Sequence, residues 1–245
     1  LVLRKKPPGK LLPSAHAIER EYRVMRALRD TAVPVPDALA LCEDEGVIGT
    51  PFFLMRWVPG RIFWDPTVPE LGASNTNRAA LYKGYVRVLA ALHSVDYAAV
   101  GLGDYGKVGG FVTRQVERWS KQYQASRTSD IASMEALMKW LGNNIPSNDE
   151  TTLVHGDYRI DNIMFGMDDP PKAIAVLDWE LSTLGHPLSD LAYACMGYHL
   201  NLPGRGGLAG VDVRSLGIPT EDEMVAEYKS LTKRDGGSSA AWERE

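Results

Sequence analysis

The sequence is poor in cysteine and has no long apolar run, and each of these absences narrows what the protein can be. Its two cysteines, Cys42 and Cys195, lie far apart and lack the close spacing of metal ligands. Such isolated cysteines are typical of buried apolar residues in a reducing compartment, so we expect a cytoplasmic protein. No apolar run approaches the roughly 18 residues of a membrane span, so no membrane-spanning segment is predicted.

Positive charge is not in excess either. The 27 lysines and arginines are outnumbered by 31 aspartates and glutamates, which gives a formal net charge of −4. This balance argues against nucleic acid or an anionic membrane surface as the main partner. The 245 residues are enough for one large core or two small lobes.

The sequence has a glycine pattern typical of phosphate-binding loops, but this pattern does not lie where such a loop is expected. The segment Gly101-Leu-Gly-Asp-Tyr-Gly106 matches the G-x-G-x-x-G pattern. That pattern indicates a phosphate site only after a strand and before a helix or second strand, whereas here it follows a helix end and a polar turn. We therefore interpret residues 101–106 as a flexible surface loop.

What the sequence does contain is a group of polar residues around two short apolar runs, residues 163–165 and 173–177. Asp157 and Asn162 precede the first run, and Asp178 directly follows the second. An aspartate, four residues, an asparagine and then a strand is the order found in the catalytic loop of phosphotransferases. In such a loop the aspartate accepts the proton of the attacking hydroxyl and the asparagine binds magnesium.

Two other interpretations of this segment are open. Asp and Asn are common in turns because their side chains bond to nearby backbone, so each of these residues alone would be a turn former. A metal hydrolase would use His155, Asp157 and His186 as zinc or iron ligands. The second interpretation leaves the spacing of Asn162 and Asp178 unexplained.

The segment resembles the signature of the aminoglycoside phosphotransferase and choline kinase superfamily, a small-molecule branch of the protein-kinase fold. His155-Gly156-Asp157 stands where protein kinases carry His-Arg-Asp, and Asp178-Trp179-Glu180 where they carry Asp-Phe-Gly. The resemblance implies that ATP and Mg²⁺ are used. It makes Asp157 the catalytic base, and Asn162 and Asp178 the metal ligands.

The same resemblance assigns roles to four neighbouring side chains. Arg159 occupies the place of a cation near the transferred phosphate, and His155 supports the catalytic loop. Asp190 ties that loop down without acting as a catalyst. Glu180 replaces the glycine of protein kinases and is a candidate for an additional metal or substrate contact.

Near the start of the chain, a strand over residues 1–4 is predicted to precede a helix over residues 14–29, with Ser14 as its cap. The helix has an apolar stripe that we expect to be buried. This stripe consists of Ile18, Tyr22, Met25 and Leu28.

Glu21 lies on or beside that stripe and therefore needs a partner, because burying an unpaired charge is costly. The resemblance makes Arg4 this partner and places Arg4 on the phosphates of the nucleotide. Lys5 and Lys6 stay open as alternatives for the cation.

A predicted strand over residues 52–58 resembles the hinge between the two lobes of a kinase, where the adenine bonds to the backbone. By position, Met55 would be the gatekeeper, Arg56 would offer its carbonyl and Val58 its amide. The hinge divides the chain into a partial N-lobe, residues 1–58, and a C-lobe, residues 59–245.

The expected fold class is therefore α+β, with a small antiparallel sheet plus a helix in the N-lobe and a larger, mainly helical C-lobe. The C-lobe contains the catalytic loop, residues 153–165, and the metal-binding segment, residues 176–185. Helical stripes at residues 77–94, 112–123 and 131–141 are expected to be core, with His93 as a core or cap histidine. The chain opens inside an apolar run, so we expect truncation at its start, with the glycine loop upstream. The family resemblance implies further helices after the C-lobe, so we expect truncation at the other end as well.

A closer resemblance concerns residues 4–21, 119–123 and 181–187. These segments look like the kinase domains fused to, or encoded beside, long acyl-CoA dehydrogenases. The resemblance implies a hydroxyacyl acceptor of the 4-hydroxyacyl-CoA type and an acyl-CoA dehydrogenase as a fused or separate partner. An aminoglycoside or choline-like amino alcohol stays open as the acceptor, as does a non-catalytic, nucleotide-binding pseudokinase.

Overall fold

The computed structural model describes residues 1–6, 17–202 and 206–234. Ser14, the predicted helix cap, lies outside the described residues, as does the glycine- and serine-containing tail. None of the helices in the described part of the chain is both long enough and apolar enough to cross a membrane.

The N-terminal part is a three-stranded antiparallel sheet with a helix beside it. Its elements are β1 (Val2–Lys5), α1 (Ile18–Leu28), β2 (Ala38–Cys42), the one-turn helix α2 (Glu45–Ile48) and β3 (Phe52–Met55). β3 lies in the centre, between β1 and β2. The predicted strand over residues 52–58 was too long, because Val2 and Ala38, which stand opposite Met55, are the first residues of the two neighbouring strands.

Helix α1 begins at Ile18, with Ala17 and not Ser14 at its N-cap position. The apolar stripe is buried as predicted except for Tyr22, which packs beside Phe53 with ring centroids 6.0 Å apart. Glu21 is 6% exposed on the same face, so a carboxylate enters the core at this point.

The C-terminal part is built from small sheets between helices. Its elements are β4 (Arg61–Ile62), α3 (Asn75–His93), α4 (Phe111–Ser126), α5 (Ala132–Asn143), β5 (Thr152–Val154), β6 (Ile163–Phe165), β7 (Ala173–Val176), β8 (Thr183–Gly185), α6 (Pro187–Cys195), β9 (Asn201–Leu202), β10 (Gly206–Gly207) and α7 (Glu221–Thr232). Three antiparallel sheets have the strand orders β4-β6-β7, β5-β8 and β9-β10. The catalytic segment is thus the connection from β5 to β6.

The core of the C-terminal part forms around α3, which is buried over most of its circumference. The predicted stripe of this helix is buried along its whole length. Tyr85 stacks on Tyr158 with ring centroids 4.8 Å apart, so α3 packs directly under the catalytic segment. Cys195 is buried in this region as expected, whereas Cys42 in β2 is only partly buried.

Helices α4 and α5 differ from the prediction that their stripes are core. They pack against each other, yet no side chain of either helix is buried by the described part of the chain. Trp119 and Trp140 are 56% and 55% exposed. An apolar stripe shows that a helix has one apolar face, but it does not show how much of that face its neighbours cover.

The segment 101–106 is not the flexible surface loop that we expected. Leu102 and Tyr105 are 0% and 1% exposed. The Tyr105 hydroxyl lies 2.7 Å from the Ser182 hydroxyl, and Arg20 of α1 donates to the Tyr105 carbonyl at 2.7 Å. These bonds make the segment a connection between α1 and the turn before β8.

We expect the burial of Trp179 to contribute far more to stability than that of Trp119. Trp179 is fully buried and donates its indole N–H to the Val176 carbonyl. Trp179→Ala should therefore lower the free energy of unfolding by about 3–5 kcal/mol. Trp119→Ala, the matched control, should change it by about 0.5 kcal/mol or less. Urea unfolding of the two variants measures both values, and equal losses would contradict this packing.

Candidate active site

The catalytic segment begins with a sharp turn at Gly156. Its φ of 84° lies in the left-handed region, and a Cβ there would lie 2.6 Å from the Leu181 carbonyl oxygen. Only glycine fits this position without displacing backbone. The turn directs the residues that follow it, including Asp157, away from β5.

Asp190 of α6 holds this turn in place. Its carboxylate accepts the backbone N–H of His155 at 2.6 Å and that of Gly156 at 2.8 Å. Asp190 is 1% exposed, and burial alone would raise its pKa. The hydrogen bond and charge of His93, together with the bonds from the loop, outweigh burial and hold the pKa of Asp190 below its ordinary value.

His93 is a supporting residue that the sequence prediction left without a specific role. It lies at the end of α3, with Nε2 3.3 Å from Asp190 Oδ2 and Nδ1 2.7 Å from the Tyr228 hydroxyl of α7. Two features of the sequence could have indicated this role. His93 lies on the buried face of α3, and a buried Asp190 needs a partner for its charge.

The Asp157 carboxylate is held by two side chains from the same loop. Its Oδ2 accepts from Asn162 Nδ2 at 3.0 Å and from Arg159 Nη2 at 3.2 Å, and Arg159 Nε lies 3.1 Å from Oδ1. Asn162 also donates to the Asp157 carbonyl at 2.8 Å. The orientation of Asp157 is therefore fixed from both sides, and Arg159 lies directly against it.

His155 supports the loop through both ring nitrogens. Nε2 lies 2.9 Å from the Leu177 carbonyl oxygen, and Nδ1 accepts the Asp157 N–H at 3.3 Å. The ring also packs on Trp179, with centroids 4.8 Å apart. His155 thus links the catalytic loop to the residue just before Asp178.

The metal-hydrolase interpretation does not fit this arrangement. The nitrogens of His186 are engaged in the same way as those of His155, since Nδ1 accepts the Leu188 N–H and Nε2 lies 3.1 Å from the Asn148 carbonyl oxygen. A histidine ligand needs a ring nitrogen free for the metal. Among the described residues, no group of three or more His, Cys, Asp or Glu side chains could hold a metal ion.

Arg4 joins the N-terminal sheet to the segment after β7. Its Nε lies 3.2 Å from Glu21 Oε2, and its Nη2 lies 3.1 Å from Asp178 Oδ1 and 3.7 Å from Glu180 Oε2. Arg4, and not Lys5 or Lys6, is therefore the partner of Glu21. Burial raises the pKa of Glu21 above its ordinary value, and the charge of Arg4 opposes this effect only in part.

A family model described as "Phosphotransferase enzyme family" matches residues 1–224. The chain belongs to this phosphotransferase enzyme family. The predicted resemblance of the chain to the aminoglycoside phosphotransferase family is thereby confirmed.

Solved structures confirm the predicted kinase-like α+β fold of the chain. A proposed aminoglycoside phosphotransferase from Ralstonia eutropha is 51% identical, with a TM-score of 0.86 over 95% of this chain and 68% of the other. The streptomycin–ATP complex of APH(2'')-IIa has a TM-score of 0.59 over 99% of this chain and 79% of the other, at 14% identity. The second structure shows the fold alone.

Curated relatives confirm the predicted sequence resemblance to acyl-CoA dehydrogenase family members. Acyl-CoA dehydrogenase family member 10 of Mus musculus is 52% identical over 232 residues, which are 93% of this chain and 21% of the relative. Family member 11 of Homo sapiens is 47% identical over 228 residues, which are 93% of this chain and 29% of the relative. The chain thus spans less than a third of the length of these relatives.

Asn162 and Asp178 fit the chemistry of Mg²⁺. This ion binds oxygen ligands and takes only one or two carboxylates from the protein, with phosphates and waters completing its shell. Asp178 offers a carboxylate whose side chain is 40% exposed, and Asn162 offers an amide oxygen. The backbone of Asn162 is bonded next to Asp178, because the N–H of Leu177, the residue directly before Asp178, donates to the Asn162 carbonyl at 2.9 Å.

The residues predicted to form the hinge lie at or just after the end of β3. Met55 is partly buried and packs against the core, whereas Arg56 is exposed and its Nε lies 3.7 Å from Asp37 Oδ2. The nucleotide contacts assigned to Met55, Arg56 and Val58 stay predictions.

We expect Asp190→Asn to lower the free energy of unfolding by about 1–3 kcal/mol at neutral pH, because an amide satisfies the two backbone N–H groups less well. The folded-state pKa of Asp190 lies below its ordinary value of 3.8. Its stabilising contribution is therefore fully present above that ordinary pKa and is lost as the pH falls through the folded-state pKa.

Urea unfolding at several pH values tests this expectation. The difference between wild type and Asp190→Asn should be constant above about pH 5 and should shrink in acid. Asp130→Asn, at a side chain 88% exposed, is the control and should show little difference at any pH. A difference for Asp190→Asn that grows as the pH falls would contradict the assignment.

Proposed function

We propose that this phosphotransferase is a kinase that transfers the γ-phosphoryl group of ATP to the hydroxyl of a hydroxyacyl compound of the 4-hydroxyacyl-CoA type. The observation that carries the proposal is the fixed Asp157 carboxylate at the head of the loop that Asp190 holds. Phosphoryl transfer depends mainly on positioning and charge neutralisation, and a rigid loop supplies the positioning.

In the proposed mechanism, Asp157 orients the acceptor hydroxyl and accepts its proton during transfer. Asn162 keeps the carboxylate in its orientation, and Arg159 adds positive charge beside the transferred group. Mg²⁺, held by Asn162 and Asp178, would neutralise charge on the phosphates. Arg4 binds the phosphates, and Glu21 fixes the direction of its guanidinium.

The proposal also assigns roles to His155, Asp190 and Glu180, and a boundary between the two lobes. His155 and Asp190 are positioning residues, since both act on the loop and not on the substrate. Glu180 lies near Arg4 and is proposed to add a contact to metal or substrate. The boundary between N-lobe and C-lobe is placed after residue 58, with the adenine bound along residues 55–58.

The names of the relatives support a hydroxyacyl compound as the acceptor. Both mammalian relatives are acyl-CoA dehydrogenase family members, which favours a hydroxyacyl substrate and an acyl-CoA dehydrogenase as fused or separate partner. Such a compound would be phosphorylated on its hydroxyl before that group is eliminated. We propose that the reaction takes place in the cytoplasm.

The proposal predicts that Asp157→Asn lowers kcat by about 10²–10⁴-fold while the KM for ATP stays close to that of wild type. An amide can still accept a hydrogen bond from the acceptor hydroxyl, but it cannot take up the proton. The measurement is transfer of labelled phosphate from ATP to 4-hydroxyacyl-CoA, 3-hydroxyacyl-CoA, choline and an aminoglycoside.

Asp168→Asn is the control, because this carboxylate is exposed in the turn between β6 and β7. It should retain wild-type turnover. Near-normal turnover by a folded Asp157→Asn variant would remove the assignment of the base. If wild type transfers phosphate to the aminoglycoside alone, the acceptor is an aminoglycoside and not a hydroxyacyl compound. If wild type transfers phosphate to none of the acceptors, the result favours a pseudokinase.

A further inference from the structure

A cavity of about 110 Å³ opens beside the catalytic loop, between α3, α6 and the β9–β10 hairpin. Most of its lining is apolar or aromatic. These lining side chains include Trp64, Tyr82, Tyr193, Tyr198 and Leu208. Such walls favour a ligand that buries hydrocarbon.

One end of the cavity is lined by side chains that neighbour the proposed catalytic base, Asp157. Arg159, which lines the cavity, is the residue whose guanidinium contacts the Asp157 carboxylate. Tyr193 lines the same cavity, and burial together with the nearby Asp157 carboxylate raises its pKa. A hydroxyl held on Asp157 would therefore lie at the mouth of this cavity.

The charged groups of the cavity do not favour a polycationic acceptor. Two charged side chains, Arg159 and Asp161, occur among its described lining residues, and they lie 3.5 Å apart as an ion pair. Among the described lining residues, an acceptor rich in ammonium groups would find one carboxylate, that of Asp161, which is already paired with Arg159. An aliphatic chain needs no such partner.

Three glycines line the cavity, and two of them have a clear structural reason. Gly206 has a φ of 69°, and a Cβ there would lie 2.8 Å from an Asp65 carboxylate oxygen. A Cβ at Gly207 would lie 1.9 Å from the Leu200 carbonyl oxygen. Both glycines allow the hairpin to pack closely, and neither could be replaced without moving it.

Neither backbone conformation nor close packing explains the glycine at position 197. Its φ lies outside the left-handed region, and a Cβ there would meet no atom within 4 Å. Its backbone position is fixed, because its carbonyl accepts the Leu208 N–H at 2.8 Å. A side chain at position 197 would therefore meet open space beside the cavity lining, and the backbone does not require a glycine here.

We propose that Gly197 is a specificity-determining residue, which keeps the cavity open for the alkyl chain of the acceptor. This inference rests on the proposed function. The chain concerned is the part of the hydroxyacyl group on the far side of the hydroxyl from the thioester. A side chain at position 197 would shorten the space available to it.

The test is Gly197→Leu, with Gly142→Leu in α5 as the matched control. A Cβ at Gly142 also meets no atom within 4 Å, and Gly142 does not line the cavity. In Gly197→Leu, kcat/KM for 4-hydroxydecanoyl-CoA should fall by about tenfold or more. The value for 4-hydroxypentanoyl-CoA, the KM for ATP and the Tm should change little. Equal losses for the two acceptors, or no loss, would overturn the proposal.

Calorimetric titration with 4-hydroxydecanoyl-CoA, in the presence of ADP and Mg²⁺, separates this inference from the proposed function. Binding should weaken by about tenfold in Gly197→Leu and not in Gly142→Leu. Equal binding by all three proteins, or no binding by wild type, overturns the role of Gly197. Binding as expected without phosphate transfer supports that role and contradicts the proposed function.

Discussion

The interaction on which the C-terminal part of the molecule depends is the burial of the Asp190 carboxylate. A buried charge is tolerated only where hydrogen bonds and charges compensate it. Here the compensation comes from the loop backbone at His155 and Gly156, and from His93 of α3. Because His93 is itself bonded to Tyr228 of α7, four separate parts of the chain must meet at one point. The shape of the catalytic loop follows from that meeting.

A second interaction connects the nucleotide side of the site to the same loop. Arg4 reaches from the first strand to Glu21 of α1 and to Asp178, which is 174 residues away in the sequence. Asp178 follows directly on Leu177, whose carbonyl is bonded to His155. The proposed phosphate-binding cation and the proposed base are therefore positioned by one continuous set of polar contacts. This continuity explains how a small sheet and a helical region can serve a single reaction.

The sequence predicted best those features that depend on short spacing. Asp157 and Asn162 are separated by four residues, and the structure places their side chains in contact. Glu21 required a partner because of its position on a buried stripe, and Arg4 is that partner. In both cases the physical requirement is local or follows from the cost of an unpaired buried charge.

Features that depend on distant parts of the chain could not be predicted in the same way. The periodicity of α4 and α5 is real, but it contains no information about how far other elements cover those helices. The glycines at residues 101–106 suggested mobility, whereas the burial of Tyr105 is decided by α1 and by Ser182. The role of His93 depends on Asp190 of α6 and Tyr228 of α7, which lie 97 and 135 residues further along the chain.

The measurement that tests the central claim most directly is a crystal structure with a non-hydrolysable ATP analogue, Mn²⁺ in place of Mg²⁺, and a 4-hydroxyacyl-CoA. The account predicts the acceptor hydroxyl about 2.6–3.2 Å from an Asp157 carboxylate oxygen. It also predicts the metal bound by Asn162 and Asp178, with Arg4 on the phosphates. A hydroxyl held away from Asp157, or a metal bound by other side chains, would contradict the account.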